Sequence, residues 1–237
     1  MRFRFTCCLL FWAGVWLVTC PCGWAQSSPT AADKAKAKKA LQEIHDFIGL
    51  WNLEGTQKVG AKTEAWKETV RWGWKFQDGD AWLIVSFADG QGKYFSTGEL
   101  RYDVAKKKYV LTLKPAEKNA TPQQFVGDYT RGMLKLDRTD AQTGDVYRLT
   151  MNTAAEGIRF VLRYEKQTAG KGLFTTVYAM NGNKDGESLA GGGAKKPECV
   201  VSGGAANIAV QYNGKTYYVC CTGCRDEFLA NPQKYAK

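Results

Sequence analysis

Residues 208–224 read Ile208-Ala-Val-Gln-Tyr-Asn-Gly-Lys-Thr-Tyr-Tyr-Val219-Cys220-Cys221-Thr-Gly-Cys224. Two β-type runs flank Asn213-Gly214, the pair preferred in a two-residue type I′ turn because both central positions take positive φ. The second run delivers Cys220 and Cys221 to the start of a short helix, Cys224 to Ala230. Because the hairpin folds back, Cys199 comes within reach of Cys220 and Cys224 across twenty intervening residues. One thiol before a hairpin, and a C-x3-C pair where strand becomes helix, make a pocket for a soft metal ion.

The chemistry follows from the residue types. Thiolates are metal ligands, and a helix N-terminus favours negative charge. Three or four of them suit zinc or copper(I), whereas hard ions such as calcium want oxygen. Cys199, Cys220 and Cys224 are the candidate ligands. Cys221 is either a fourth, through Cys221-x2-Cys224, or a bystander. The competing reading is a disulfide-stapled tail, since four cysteines allow three pairings; the two readings can coexist as a redox switch. Phe228 and Tyr235 are expected to pack under the hairpin and support the site.

Outward from this stretch, the 237-residue chain has room for one or two domains. Residues 1–25 read as an export leader. Arg2 and Arg4 form a positive start, Cys7 to Cys20 is an apolar run, and Gly23-Trp24-Ala25 puts small residues before a cleavage at Gln26. The run is too short for a helix to span a bilayer core of about 30 Å, so no stable membrane span is expected after cleavage. Leu17-Val-Thr-Cys20 loosely resembles a lipobox, which makes lipidation at Cys20 a further option. Periplasmic or extracellular export implies a compartment that permits disulfides. The formal charge of +10 falls to +8 once Arg2 and Arg4 leave. Apart from the lysines within 34–39 and 106–108 its basic residues are scattered, which reads as solvated surface and not a nucleic-acid interface.

A helix is expected from about Ala31 to Ile48, with Thr30 and Asp33 as a capping box and Leu41, Ile44 and Ile48 on one face. The lysines at 34, 36, 38 and 39 make its first turns polar and loose, and Gly49 stops it. From Leu50 to Met180 the period changes to two. Short runs rich in Trp, Tyr, Phe, Val, Leu and Thr alternate with turn signals such as Gln77-Asp-Gly-Asp80. About nine strands at this spacing point to an antiparallel barrel or sandwich, and closure removes exposed edges, which favours the barrel. Residues 31–181 are therefore read as a barrel domain with an N-terminal helix, 182–196 as a Gly-rich linker, and 197–237 as the cysteine module.

Two resemblances add to this. The helix followed by Gly49-Leu50-Trp51 looks like the opening of lipocalin-like barrels, and of secreted barrels of unknown function that begin with G-x-W. The tail resembles the YHS and TRASH families of small metal-binding domains. It carries the one-cysteine, twenty-residue, C-x3-C spacing, the aromatic pair Tyr217-Tyr218, Glu227-Phe228 and the terminal Asn231-Pro-Gln-Lys-Tyr235. It lacks the fuller D-P-V-C-G-M form before Val200, and Cys221 is additional. That resemblance implies a treble-clef-like ββα fold and a role in metal sensing, trafficking or resistance.

Other signals carry less. His45 is the single histidine and reads as a surface or packing residue, so the Ser-His-Asp pattern has little material and no enzyme is expected. Trp51, Trp66, Trp72, Trp74, Trp82, Phe76, Tyr94 and Tyr102 either fill the barrel or line a cavity for a small apolar ligand; small barrels are often packed solid. Asp78 and Asp80 read as turn formers. The expectation is a mainly β, exported protein that binds zinc or copper through its tail, with an apolar-ligand carrier as the alternative.

Overall fold

The computed structural model describes residues 29–187 and 196–236. The expected leader, 1–25, lies outside them, as do residues 188–195 of the expected linker. Helix α1 spans Ala31–Gln42. Ten antiparallel strands follow: β1 (Gly49–Val59), β2 (Lys62–Gln77), β3 (Asp80–Phe87), β4 (Phe95–Asp103), β5 (Lys108–Pro115), β6 (Gln123–Thr130), β7 (Met133–Thr139), β8 (Val146–Ala154), β9 (Arg159–Gln167) and β10 (Thr175–Lys184). Each strand pairs with its sequence neighbours, and β1 pairs with β10, so the sheet closes. There are ten strands where about nine were expected. Among the described residues no helix is long and apolar enough to cross a membrane.

The period-two pattern does what it implies. In β5, Tyr109, Leu111 and Leu113 are buried while Val110, Thr112 and Lys114 are more exposed. Trp51, Trp72, Trp74 and Trp82 are buried, and Trp66, Phe76, Tyr94 and Tyr102 pack against them in part. The rings fill space by meeting one another: Tyr94 stacks on Tyr178 at 4.3 Å, and Trp51 and Phe47 reach Phe160 at 5.1 and 5.2 Å. Such aromatic pairs contribute beyond the area they bury.

Two expected boundaries move. The helix ends at Gln42, and a single 3-10 turn, His45–Phe47, follows in place of a helix to Ile48. Ile44 leaves helical geometry at φ −106° and ψ 26°. The tighter turn lets Ile44 and Phe47 both be fully buried, and the Phe47 carbonyl accepts from Trp51 Nε1 at 2.8 Å. At the other end β10 runs to Lys184, into the stretch read as linker. Gly182 belongs to this strand because backbone approaches it closely: a Cβ there would lie 1.9 Å from the Asn52 carbonyl oxygen.

One feature of the barrel positions the site. Strand β1 covers β2 only as far as the pair Gly49↔Trp72, so residues 73–77 of β2 extend past their partner. An open edge of this kind needs a cover. The C-terminal module supplies it, and its buried residues join those of the barrel in one contiguous core.

Candidate metal centre

The module begins with a tight loop. An isolated bridge pairs Glu198 with Ala205. Inside it the Cys199 N–H donates to the Gly204 carbonyl at 2.8 Å, and the Gly203 N–H to the Cys199 carbonyl at 2.9 Å. The hairpin of β11 (Ile208–Tyr212) and β12 (Lys215–Val219) turns at Asn213 and Gly214, with φ of 49° and 74°. Tyr212 faces Lys215, as a two-residue turn requires. The Val200 N–H reaches the Tyr218 carbonyl at 3.1 Å, tying the Cys199 loop to β12. Helices α2 (Thr222–Ala230) and α3 (Pro232–Tyr235) follow.

This wiring brings Cys199, Cys220 and Cys224 together. Their sulfurs all lie within 4.8 Å of one another, and all three residues are buried. The Cys220 and Cys224 sulfurs are 3.5 Å apart. That is well beyond a disulfide bond of about 2.05 Å, and the four cysteines are free thiols. Cys224 sits in the first turn of α2, where unpaired N–H groups favour a thiolate. Beneath the site Phe228 is fully buried. It meets Tyr217 at 5.1 Å and Tyr235 at 6.5 Å, and the Tyr235 hydroxyl donates to Glu227 at 2.7 Å.

Cys221 lies at the edge of the trio, hydrogen-bonded to Cys220 and Cys224. As the residue preceding α2, it turns its sulfur to the barrel and accepts the Trp74 N–H at 3.3 Å. The site also includes Ser202, which no sequence signal marked. Its hydroxyl lies 3.3 Å from the sulfur of each of Cys199, Cys220 and Cys224. His45 stays outside the cluster: its Nδ1–H donates to the Gln42 carbonyl at 2.8 Å, and its ring lies against Gly204.

Helix α1 holds the loop from the barrel side. Lys38 Nζ donates to the Val201 carbonyl at 2.8 Å, and Gln42 Nε2 to the Ser202 carbonyl at 2.7 Å. The lysine-rich first turns are therefore not merely a loose polar face. Burial draws the Lys38 amine below the usual lysine range, Lys234 adds repulsion, and Cys224, Glu227 and Cys199 pull it back up.

The thiols titrate as one set. Hydrogen bonds from Cys220 and Cys224 hold Cys199 well below the ordinary thiol range. Hydrogen bonds to Cys199 and Cys221, with burial, push Cys220 above it, and hydrogen bonds to Cys199, Cys220 and Cys221, with burial, do the same for Cys224. Cys221 is held low by hydrogen bonds from Cys220 and Cys224, with help from the Trp74 N–H. Without a cation, three adjacent thiolates cannot all stay ionised in this buried space; a bound cation removes that penalty. The donor set is all sulfur and buried, so the residues fit a soft metal ion.

Comparison with known proteins agrees with this geometry. Residues 201–237 match the family model described as the YHS domain, a span that starts two residues after Cys199. The chain is thus an antiparallel barrel whose C-terminal segment, residues 201–237, is similar to the YHS domain. No curated protein matches it. A solved structure titled "Crystal Structure of Rv2717c from M. tuberculosis" is similar at 17% identity and a TM-score of 0.40, covering 62% of this chain and 97% of that one.

Proposed function

We propose that this is an exported protein whose C-terminal module holds one soft metal ion, zinc or copper(I), through the thiolates of Cys199, Cys220 and Cys224. One observation carries the reading: two segments twenty residues apart place three buried sulfurs within 4.8 Å of one another. A buried trio of thiols has no apolar or hydrogen-bonding purpose that needs three of them, whereas soft ions are bound by this donor type. The leader at 1–25 supports export, and the YHS match supports a role in metal sensing, trafficking or resistance.

Each part of the chain has a task. The type I′ turn sets the offset of Cys220 from Cys199. The start of α2 favours ionised Cys224. Lys38 brings positive charge from α1 towards thiolates whose total charge exceeds that of the ion. A cleft of about 610 Å³ between barrel and module has Cys220 and Cys221 on its wall, beside Arg71, Ile84 and Lys184, and offers a route to the sulfurs. The barrel, filled by its own aromatic rings, acts as the platform on which the module rests.

Titration of the reduced protein with zinc and with copper(I), followed by measurement of bound metal, tests this. The reading requires one equivalent in the intact protein and loss of it in Cys220→Ser and Cys224→Ser. Full occupancy in both variants would exclude it.

A further inference from the structure

The Ser202 hydroxyl is oversubscribed. It is 1% exposed, and it lies 3.3 Å from each of four groups: the Cys199, Cys220 and Cys224 sulfurs and the Gly203 carbonyl oxygen. A hydroxyl has one proton to give and two lone pairs. It cannot satisfy four partners at once, so its placement is not explained by hydrogen bonding alone.

The placement is explained by coordination geometry. A tetrahedral zinc site with Zn–S of about 2.3 Å and Zn–O of about 2.0 Å separates its sulfurs by roughly 3.8 Å and its oxygen from each sulfur by roughly 3.5 Å. Here two of the sulfurs are 3.5 Å apart, all three lie within 4.8 Å, and the oxygen is 3.3 Å from every one of them. The oxygen thus stands over the face of the sulfur triangle, near the fourth corner of a tetrahedron.

Resting on the thiolate reading above, we infer that Ser202 Oγ is the fourth donor and that it sets the metal preference of the site towards a four-coordinate divalent ion, zinc. The proton accounting is simple. When the thiols ionise, Cys224 no longer donates to Ser202, and a lone pair on Oγ is freed. The hydroxyl keeps its proton and directs it to the Gly203 carbonyl. No bond to carbon changes and no electron is transferred. A hydroxyl oxygen is a harder donor than a thiolate, so it adds more to zinc than to copper(I), which sulfur satisfies with fewer ligands. The loop carrying Ser202 is held for this purpose from outside, by Gln42 on the Ser202 carbonyl and Lys38 on the Val201 carbonyl.

The test compares zinc and copper(I) affinities of the reduced full chain, by chelator competition, in wild type, Ser202→Ala and Ser202→Cys. Ser202→Ala is expected to lose about 10- to 100-fold in zinc affinity, the range for groups that tune a metal site, while its copper(I) affinity holds. Ser202→Cys restores zinc binding. With cobalt(II) as the probe it also strengthens the thiolate charge-transfer absorption, because a fourth sulfur has joined. A Ser202→Ala protein whose two affinities fall together, or both stay unchanged, overturns the inference: Ser202 then only braces the loop. Should Ser202→Ala not fold, Ser202→Cys decides, since an unchanged cobalt(II) spectrum places position 202 out of ligand reach. Wild-type protein that binds neither ion overturns the thiolate reading itself, which is a distinct result.

Discussion

The backbone N–H of Trp74 in β2 donates to the sulfur of Cys221, 3.3 Å away. This contact joins the barrel to the cysteine module at the point where β1 no longer covers β2. It separates the adjacent cysteines by role. Cys220 is one of the three mutually close sulfurs, whereas Cys221, hydrogen-bonded to Cys220 and Cys224, also accepts from the sheet edge.

Cys221→Ala should therefore leave one equivalent of metal bound, unlike the loss expected for Cys224→Ala. Its cost should appear in stability, at about 1 kcal/mol for a lost hydrogen bond to a partly buried N–H. Denaturant unfolding with metal analysis of the same samples checks both halves.

Two residues further on lies a tighter constraint. A Cβ at Gly223 would lie 1.8 Å from the Trp74 carbonyl oxygen. Backbone cannot yield that far in place, so Gly223→Ala should lift α2 off β2. The expected cost is about 1–3 kcal/mol, typical of overpacking, with faster proteolysis of the module while the barrel resists. Limited proteolysis with mass analysis reads this directly.

Much of this was legible in the sequence, and the limits have physical causes. The period-two runs expose one face and bury the other, so β5 and its neighbours could be read from residue type. Asn213-Gly214 fixed the hairpin, and the spacing of Cys199, Cys220 and Cys224 pointed to one cluster. What escaped depends on contacts between distant segments. Ser202 carries no spacing signal; only the folded loop puts its hydroxyl among the sulfurs. The docking of the module depends on β2 outlasting β1, a difference in strand length that composition does not reveal. Gly182 looked like linker because glycine-rich stretches usually are, yet it is the one residue small enough for the closing strand at that point.

The grip of α1 on the loop gives a third prediction. Gln42→Ala and Lys38→Met each remove one bond to the carbonyls of Ser202 and Val201. Neither touches a sulfur. Metal affinity should fall about 10-fold in each, as for other supporting partners of metal sites, with stoichiometry intact. Competition titration separates affinity from stoichiometry.

The pH dependence has a definite sign. Cys220 and Cys224 are raised above the ordinary thiol range in the metal-free protein. They hold their protons near neutral pH and must release them when the ion binds. Affinity should therefore rise with pH across the neutral range, with more than one proton released per ion. The stability that bound metal confers should be lost as pH falls. Calorimetry in buffers of different ionisation enthalpy counts the protons.

The most direct test of the central claim is native mass spectrometry of the reduced protein with zinc added, beside a variant in which Cys199, Cys220 and Cys224 are all serine. The account predicts a single zinc adduct on the native chain and none on the variant. Equal adducts on both proteins, or none on either, would contradict it.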